Sequence, residues 1–260
     1  LPTVVATGIL VYATALVAHE GAHALAGWMA GGTPTLVSST DARGDWSGLG
    51  EVATVAVGVS GSLANAVLAL AGWLVFRRGV GKPTTATALG WLVFAVNAWM
   101  PTTRLVVSPL VAAGDWATVV SAFPNQGPLR ASLTVSGLFV AGLLWKETVP
   151  SLARAVGGGS ASVRRARGRR LVRTAWLSGG SVAVLAALSS PLGPAWGVAV
   201  AAGSTLGTTW PLLAAAGKVG EHPVPGAPLR LPRSPWLIVS GALVALVLVG
   251  VLGPGVRLGG

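Results

Sequence analysis

The chain contains no cysteine, which excludes disulfides and thiolate metal ligands and leaves the redox compartment unread. Charge is scarce as well. Only 10% of the 260 residues are Asp, Glu, Lys or Arg, against 52% hydrophobic, and the mean hydropathy is +0.71. A soluble globular domain carries about 25% charged residues, so an ordinary water-soluble fold is excluded. Acids are the scarcer sign, seven against eighteen Lys and Arg, which leaves a net charge of +11. That excess reads as membrane topology and contact with anionic lipid. Nucleic acid is set aside as a partner, because no aromatic residue interleaves the basic run from Arg164 to Arg170.

Long apolar runs are what the chain has in abundance, several of them near the roughly 20 residues needed to cross a hydrocarbon core. The first spans about Pro2 to Met29 and ends at Gly31-Gly32-Thr33-Pro34. It is too long for a secretory signal and lacks a cleavage site; Leu1 in place of Met is read as a missing short leader. Residues 35–51 are polar and turn-rich, fit for a short hairpin or a partly embedded loop. A second run covers about Val52 to Phe76 and stops at Arg77-Arg78-Gly79. The third begins near Thr84 and is apolar to Trp99, then is interrupted by Pro101, Arg104 and Pro109 before Gly114-Asp115-Trp116. Broken backbone at membrane depth survives only beside protein or a water-filled cavity, which puts Asp115 in or next to a polar cavity. A fourth run lies at about Ala131 to Leu144, and three more near Ala175 to Leu188, Ala195 to Ala216 and Trp236 to Leu252. Between the fourth and fifth, Gly157-Gly158-Gly159-Ser160 and the basic run from Arg164 to Arg173 read as a flexible cytoplasmic linker.

The fold expected is an all-α, multi-pass integral membrane protein of the cell membrane with six to seven transmembrane helices. In this topology fourteen cations fall on one side: Arg77, Arg78, Lys82, Lys146, Arg154, the six arginines from Arg164 to Arg173, Lys218, Arg230 and Arg233. Arg43, Arg104, Arg130 and Arg257 fall on the other. The positive-inside rule makes the first side cytoplasmic.

Two of the three histidines lie in His19-Glu20-Gly21-Ala22-His23, inside the first apolar run. On a helix, residues four apart share a face, so both imidazoles can grip one zinc with Glu20 beside them as a base. Zinc would acidify a bound water, and Glu20 would take its proton during attack on a carbonyl. An acid inside a span costs about 3 kcal/mol on insertion scales, so Glu20 needs a reason to be there. The plain alternative is a polar cluster that hydrogen-bonds neighbouring helices. A catalytic zinc also needs a third protein ligand, here of nitrogen or oxygen. Asp115 is the leading choice, with an N-cap or turn acid as its ordinary role; Asp41, Asp45 and Glu51 stand behind it.

His19-Glu20-Gly21-Ala22-His23-Ala24-Leu25-Ala26, followed by a glycine-rich break, resembles the first core helix of the site-2 protease family of intramembrane metalloproteases. Ser60-Gly61-Ser62-Leu63-Ala64-Asn65-Ala66 is similar to the Gly-x-x-x-Asn segment of that family's second core helix. Asn97 through Pro101, then Gly114-Asp115-Trp116, follow the order of its third, although the glycine precedes the aspartate and the interval is stretched. The resemblance covers residues 1 to about 120. It implies zinc held by His19, His23 and Asp115, Glu20 as catalytic base, and Asn65, Asn97 and Gly61 beside a substrate strand, with a membrane protein as substrate. Gly61 and Asn65 also read as a small-x-x-x-small packing face with a polar residue as glue. The organisation expected is a metalloprotease core at 1–125, a fourth transmembrane segment at 126–156, the linker at 157–173 and an accessory helical bundle at 174–260. One implication conflicts with the charges: positive-inside turns the end of the first helix away from the cytoplasm, whereas the family holds its zinc nearer the cytosolic face. Two other readings stay open, a membrane zinc protease with Glu147 as third ligand and a non-catalytic scaffold that keeps a metal or polar cluster.

Overall fold

The computed structural model describes residues 1–82 and 84–258. Its helices are α1 (Pro2–Met29), α2 (Glu51–Arg78), α3 (Thr85–Val111), α4 (Asp115–Ser121), α5 (Gln126–Val156), α6 (Ala161–Ala187), α7 (Pro194–Ala202), α8 (Pro211–Lys218) and α9 (Pro235–Val247). Three short strands accompany them, β1 (Thr33–Val37), β2 (Ala42–Asp45) and β3 (Val256–Arg257). A π-turn at Gly203–Gly207 joins α7 and α8 into one rod, Pro194–Glu221, and a second π-turn extends α9 to Leu252. Five helices are long and apolar enough to cross a membrane by length and composition: α1, α2, α5 and these two rods. The other two long helices carry polar halves. α6 begins with the arginine run, and the second half of α3 holds Asn97, Thr102, Thr103 and Arg104.

Local chemistry explains the helix ends. Pro2, Pro194, Pro211 and Pro235 sit in first turns, where a missing N–H breaks no intrahelical bond. Side chains of Thr84, Ser160 and Ser234 accept from the amides of Thr87, Val163 and Leu237, the N-cap arrangement. Pro101 and Pro109 do not interrupt α3 as expected. The helix runs through both to Val111, while Thr102 donates to Ala98 O at 2.8 Å. The break falls at Ala112 and Gly114, both at positive φ (54° and 81°).

α1 is the central helix: 61% of its most apolar window is buried, against 6% for α5 and 11% for Pro235–Leu252. Small residues let its neighbours approach. A Cβ on Gly8 would stand 2.6 Å from Ala175 Cα of α6, and one on Gly241 of α9 would stand 2.8 Å from Ala6 Cα. On the outer helices Leu138, Phe139, Leu143, Leu243 and Leu246 are exposed, the surface of helices that are apolar all round.

One expectation about organisation changes. Residues 161–173 are not a flexible linker but the first half of α6, whose Arg164 is buried and donates to Gly159 O (2.5 Å) and Gly220 O (2.9 Å). The C-terminal half shares a core with the N-terminal half, which joins Tyr12, Trp91, Trp99, Leu152, Leu171 and Leu212. Strands also modify the all-α expectation. β1 and β2 form the hairpin, with Thr33 opposite Asp45 and Val37 opposite Ala42, and β3 from the far end of the chain pairs with the free edge of β1. The indole of Trp46 lies over Gly27, Gly32 and Gly44, where any Cβ would collide with it, and so seats the hairpin on the last turn of α1.

Candidate metal centre

His19 and His23 lie one turn apart on α1, both buried, with ring centroids 4.8 Å apart and planes at 85°. Each ring is anchored through Nδ1. His19 Nδ1 lies 2.8 Å from Asn65 Oδ1, and His23 Nδ1 lies 2.7 Å from the carbonyl of Val57. A carbonyl only accepts. The orientation of Asn65 is fixed by its amide, which donates to Ala15 O (3.1 Å) and Asn97 Oδ1 (2.9 Å), so its oxygen is the atom that faces His19. Asn97 is itself held by a bond from its amide to Val93 O at 2.9 Å. Both Nδ1 atoms therefore carry a proton, and the two Nε2 atoms lie 3.2 Å apart.

Asp115 closes the triangle. Ser108 accepts from the Ala117 amide (3.1 Å) and donates to Ala113 O (2.6 Å), which pins the turn between α3 and α4. Gly58 lets α4 dock on α2, since a Cβ there would meet Val119 Cγ2 at 2.7 Å and Asp115 O at 3.2 Å. The carboxylate then stands 3.0 Å from His19 Nε2 and 3.5 Å from His23 Nε2. The contacts use both carboxylate oxygens, Oδ2 toward His19 and Oδ1 toward His23, and one ligand atom from each of the three residues lies within 4.8 Å of the others. Two imidazole nitrogens and a carboxylate are donors that could hold a metal ion, and each imidazole is oriented by a hydrogen bond at its other nitrogen.

Arg104 is the residue that sequence reasoning missed. Its guanidinium reaches in from α3, touches His19 Nε2 and lies 3.3 Å from Asp115 Oδ2, so a cationic group already leans on the electron-rich side of the triangle. The signal was there to read, an ionisable residue within an apolar helix. Glu20, buried, is three residues from His23 and shares its side of α1.

Of the remaining candidates, three lie in the same cluster and the others fall elsewhere. Asn65 and Asn97 are engaged with His19 and with each other, and Gly61 provides the space against which both imidazoles lie. Asp41 pairs with Arg43 at 2.5 Å, and Glu51 is exposed in the first turn of α2. Asp45 accepts from the amide (3.1 Å) and hydroxyl (2.6 Å) of Ser47, which hold its carboxyl below the ordinary range. Glu147 pairs with Arg154 at 2.5 Å and is not part of the metal-ligating group, so a glutamate-ligand site at Glu147 is not formed. Among the described residues, the metal-ligating group formed is His19, His23 and Asp115. The chain matches no protein-family model, no curated protein and no solved structure.

Proposed function

We propose that the chain is a zinc-dependent intramembrane endopeptidase, similar to the site-2 protease family, that hydrolyses a peptide bond in or near the membrane span of another protein. The observation that carries this reading is the convergence of two Nδ1-anchored histidines and one aspartate in one group able to ligate a metal, with a buried glutamate alongside. Five helices of membrane-spanning length and composition support placement in the cell membrane.

His19, His23 and Asp115 would hold the metal, which when bound supplies a Lewis acid that acidifies water and polarises a carbonyl. Glu20 accepts a proton from water and returns it to the leaving amine. Asn65 and Val57 keep both imidazoles in the tautomer that leaves Nε2 free. The Asp115 side chain is 20% exposed against 2% for that of His19, so the site opens beside α4. A substrate helix must unwind before one of its carbonyls can enter, because its backbone bonds are otherwise satisfied internally.

Glu20→Gln tests the reading. The variant keeps its zinc and loses cleavage of a membrane-protein substrate by a factor of at least about 100. A fully active Glu20→Gln protein would remove Glu20 from the chemistry, and the scaffold reading would gain.

A further inference from the structure

The end of the molecule away from the metal centre gathers the cations. α1 and α2 run antiparallel, as do α2 and α3, α3 and α5, and α6 and the Pro194–Glu221 rod. Thirteen of the fourteen cations named above, all but Lys146, therefore lie toward one end, where Lys218 is paired with Glu221 and Arg154 is reached by Glu147. Here a cavity of about 260 Å³ opens between the start of α1, the first half of α6 and the extended segment at 222–234. Val4, Leu171, Leu229 and Leu231 form an apolar wall, and Arg167 and Arg170 form the other.

These two arginines are not bonded alike. Arg167 is half-buried and uses one nitrogen on Gly158 O at 2.7 Å, which fixes its guanidinium at the rim. Arg170, three residues on and on the same face, is exposed and makes no hydrogen bond or ion pair among the described residues. By contrast Arg164 is buried and bonded to backbone carbonyls. The larger cavity at this end, about 400 Å³, is lined by Arg154, which Glu147 already neutralises.

We propose that the Arg167–Arg170 cavity binds the phosphodiester headgroup of an anionic phospholipid. Two guanidinium forks match a phosphate, and an apolar wall beside them suits the start of an acyl chain. The arginines also stand where α6 passes from its basic half to the apolar stretch that begins at Leu171, the depth of a headgroup. The volume lies below the 300–1,000 Å³ typical of drug-sized pockets, enough for a headgroup and not for a whole lipid. This site depends on the membrane placement and not on the metal, so its failure and that of the protease reading are separable.

The test titrates the detergent-purified full chain with phosphatidylglycerol, phosphatidylcholine or inorganic phosphate and follows the melting temperature. Phosphatidylglycerol alone raises it. Arg167→Gln/Arg170→Gln raises the half-saturating lipid concentration about 30-fold, whereas Arg169→Gln/Arg173→Gln, equal in charge but outside the cavity lining, leaves it unchanged. Should the first pair unfold the protein, Arg170→Gln alone, at an exposed and unbonded side chain, gives about a fivefold shift. Equal losses in the two double variants would assign the effect to diffuse surface charge and overturn the site. So would an equal response to phosphatidylcholine, or one to inorganic phosphate that matches the lipid's.

Discussion

Gly61→Ala is the smallest change that separates a built metal site from an accidental meeting of polar residues. A Cβ there would stand 2.5 Å from His23 Nε2, 2.6 Å from His19 Cε1 and 2.7 Å from His19 Nδ1. Non-bonded contact at such atoms is comfortable near 3.5 Å, so the rings or α2 must give way by about 0.8 to 1 Å. Metal–ligand distances tolerate deviations of about 0.2 Å. The methyl group therefore displaces both imidazoles well beyond what the metal accepts, and it strains the bonds from Nδ1 to Asn65 and Val57 at the same time. Zinc affinity falls by about 100-fold, the upper range for disruption of a supporting shell. Gly21→Ala is the control, because nothing lies within 4 Å of a Cβ at that position in the same motif. Alanine favours a helix interior over glycine by about 1 kcal/mol, so this variant binds zinc normally and is no less stable. The assay is competition against a fluorescent zinc chelator in detergent, with melting temperature measured on the same samples. Wild-type zinc affinity in a folded Gly61→Ala protein would refute the packing argument.

Asn65→Ala removes the acceptor that fixes the His19 tautomer and weakens zinc binding 10- to 100-fold; Asn97→Ala, one bond further out, weakens it by less than about tenfold, and the chelator assay ranks the two. If Asn97→Ala is the more damaging, the chain of bonds from α3 to His19 is misread. Arg104→Gln takes away a cation that touches the ligand set and so strengthens zinc binding by about tenfold, read on the same isotherms. Weaker zinc binding in that variant would instead make Arg104 a support for Asp115.

Much of the site was legible in the sequence because its signals are local. The bounds of α1 follow from Pro2 and the Gly31-Gly32 break, and the facing of His19 and His23 follows from helical spacing alone. Asp115 could be singled out because an acid next to a broken apolar helix needs a partner, and the structure supplies Arg104 as well as the two histidines. What could not be read depends on distant contacts. Pro101 and Pro109 stay within α3 because packing on α2 and α5 holds a helix that local propensity would end. The basic run is helical because Arg164 finds carbonyls at Gly159 and Gly220, the latter 56 residues away. β3 reaches β1 across some 220 residues, which no hairpin signal encodes. Asn65 and Gly61 carried a dual reading as packing residues and site residues. In the structure Gly61 leaves the space against which both imidazoles lie, and Asn65 turns its amide oxygen toward His19.

The charge distribution keeps its tension with the family resemblance. The bundle gathers thirteen of eighteen cations toward the end away from His19, His23 and Asp115, an arrangement that under the positive-inside rule would turn the candidate metal centre away from the cytoplasm. The three-stranded sheet lies at the metal-centre end, on the last turn of α1.

Elemental analysis of zinc in the detergent-purified wild type, beside Asp115→Ala and Glu147→Ala, tests the central claim most directly. The account predicts about one zinc per chain in wild type and Glu147→Ala, and a large loss in Asp115→Ala. Full zinc in a folded Asp115→Ala protein, or none in a folded wild type, would contradict it.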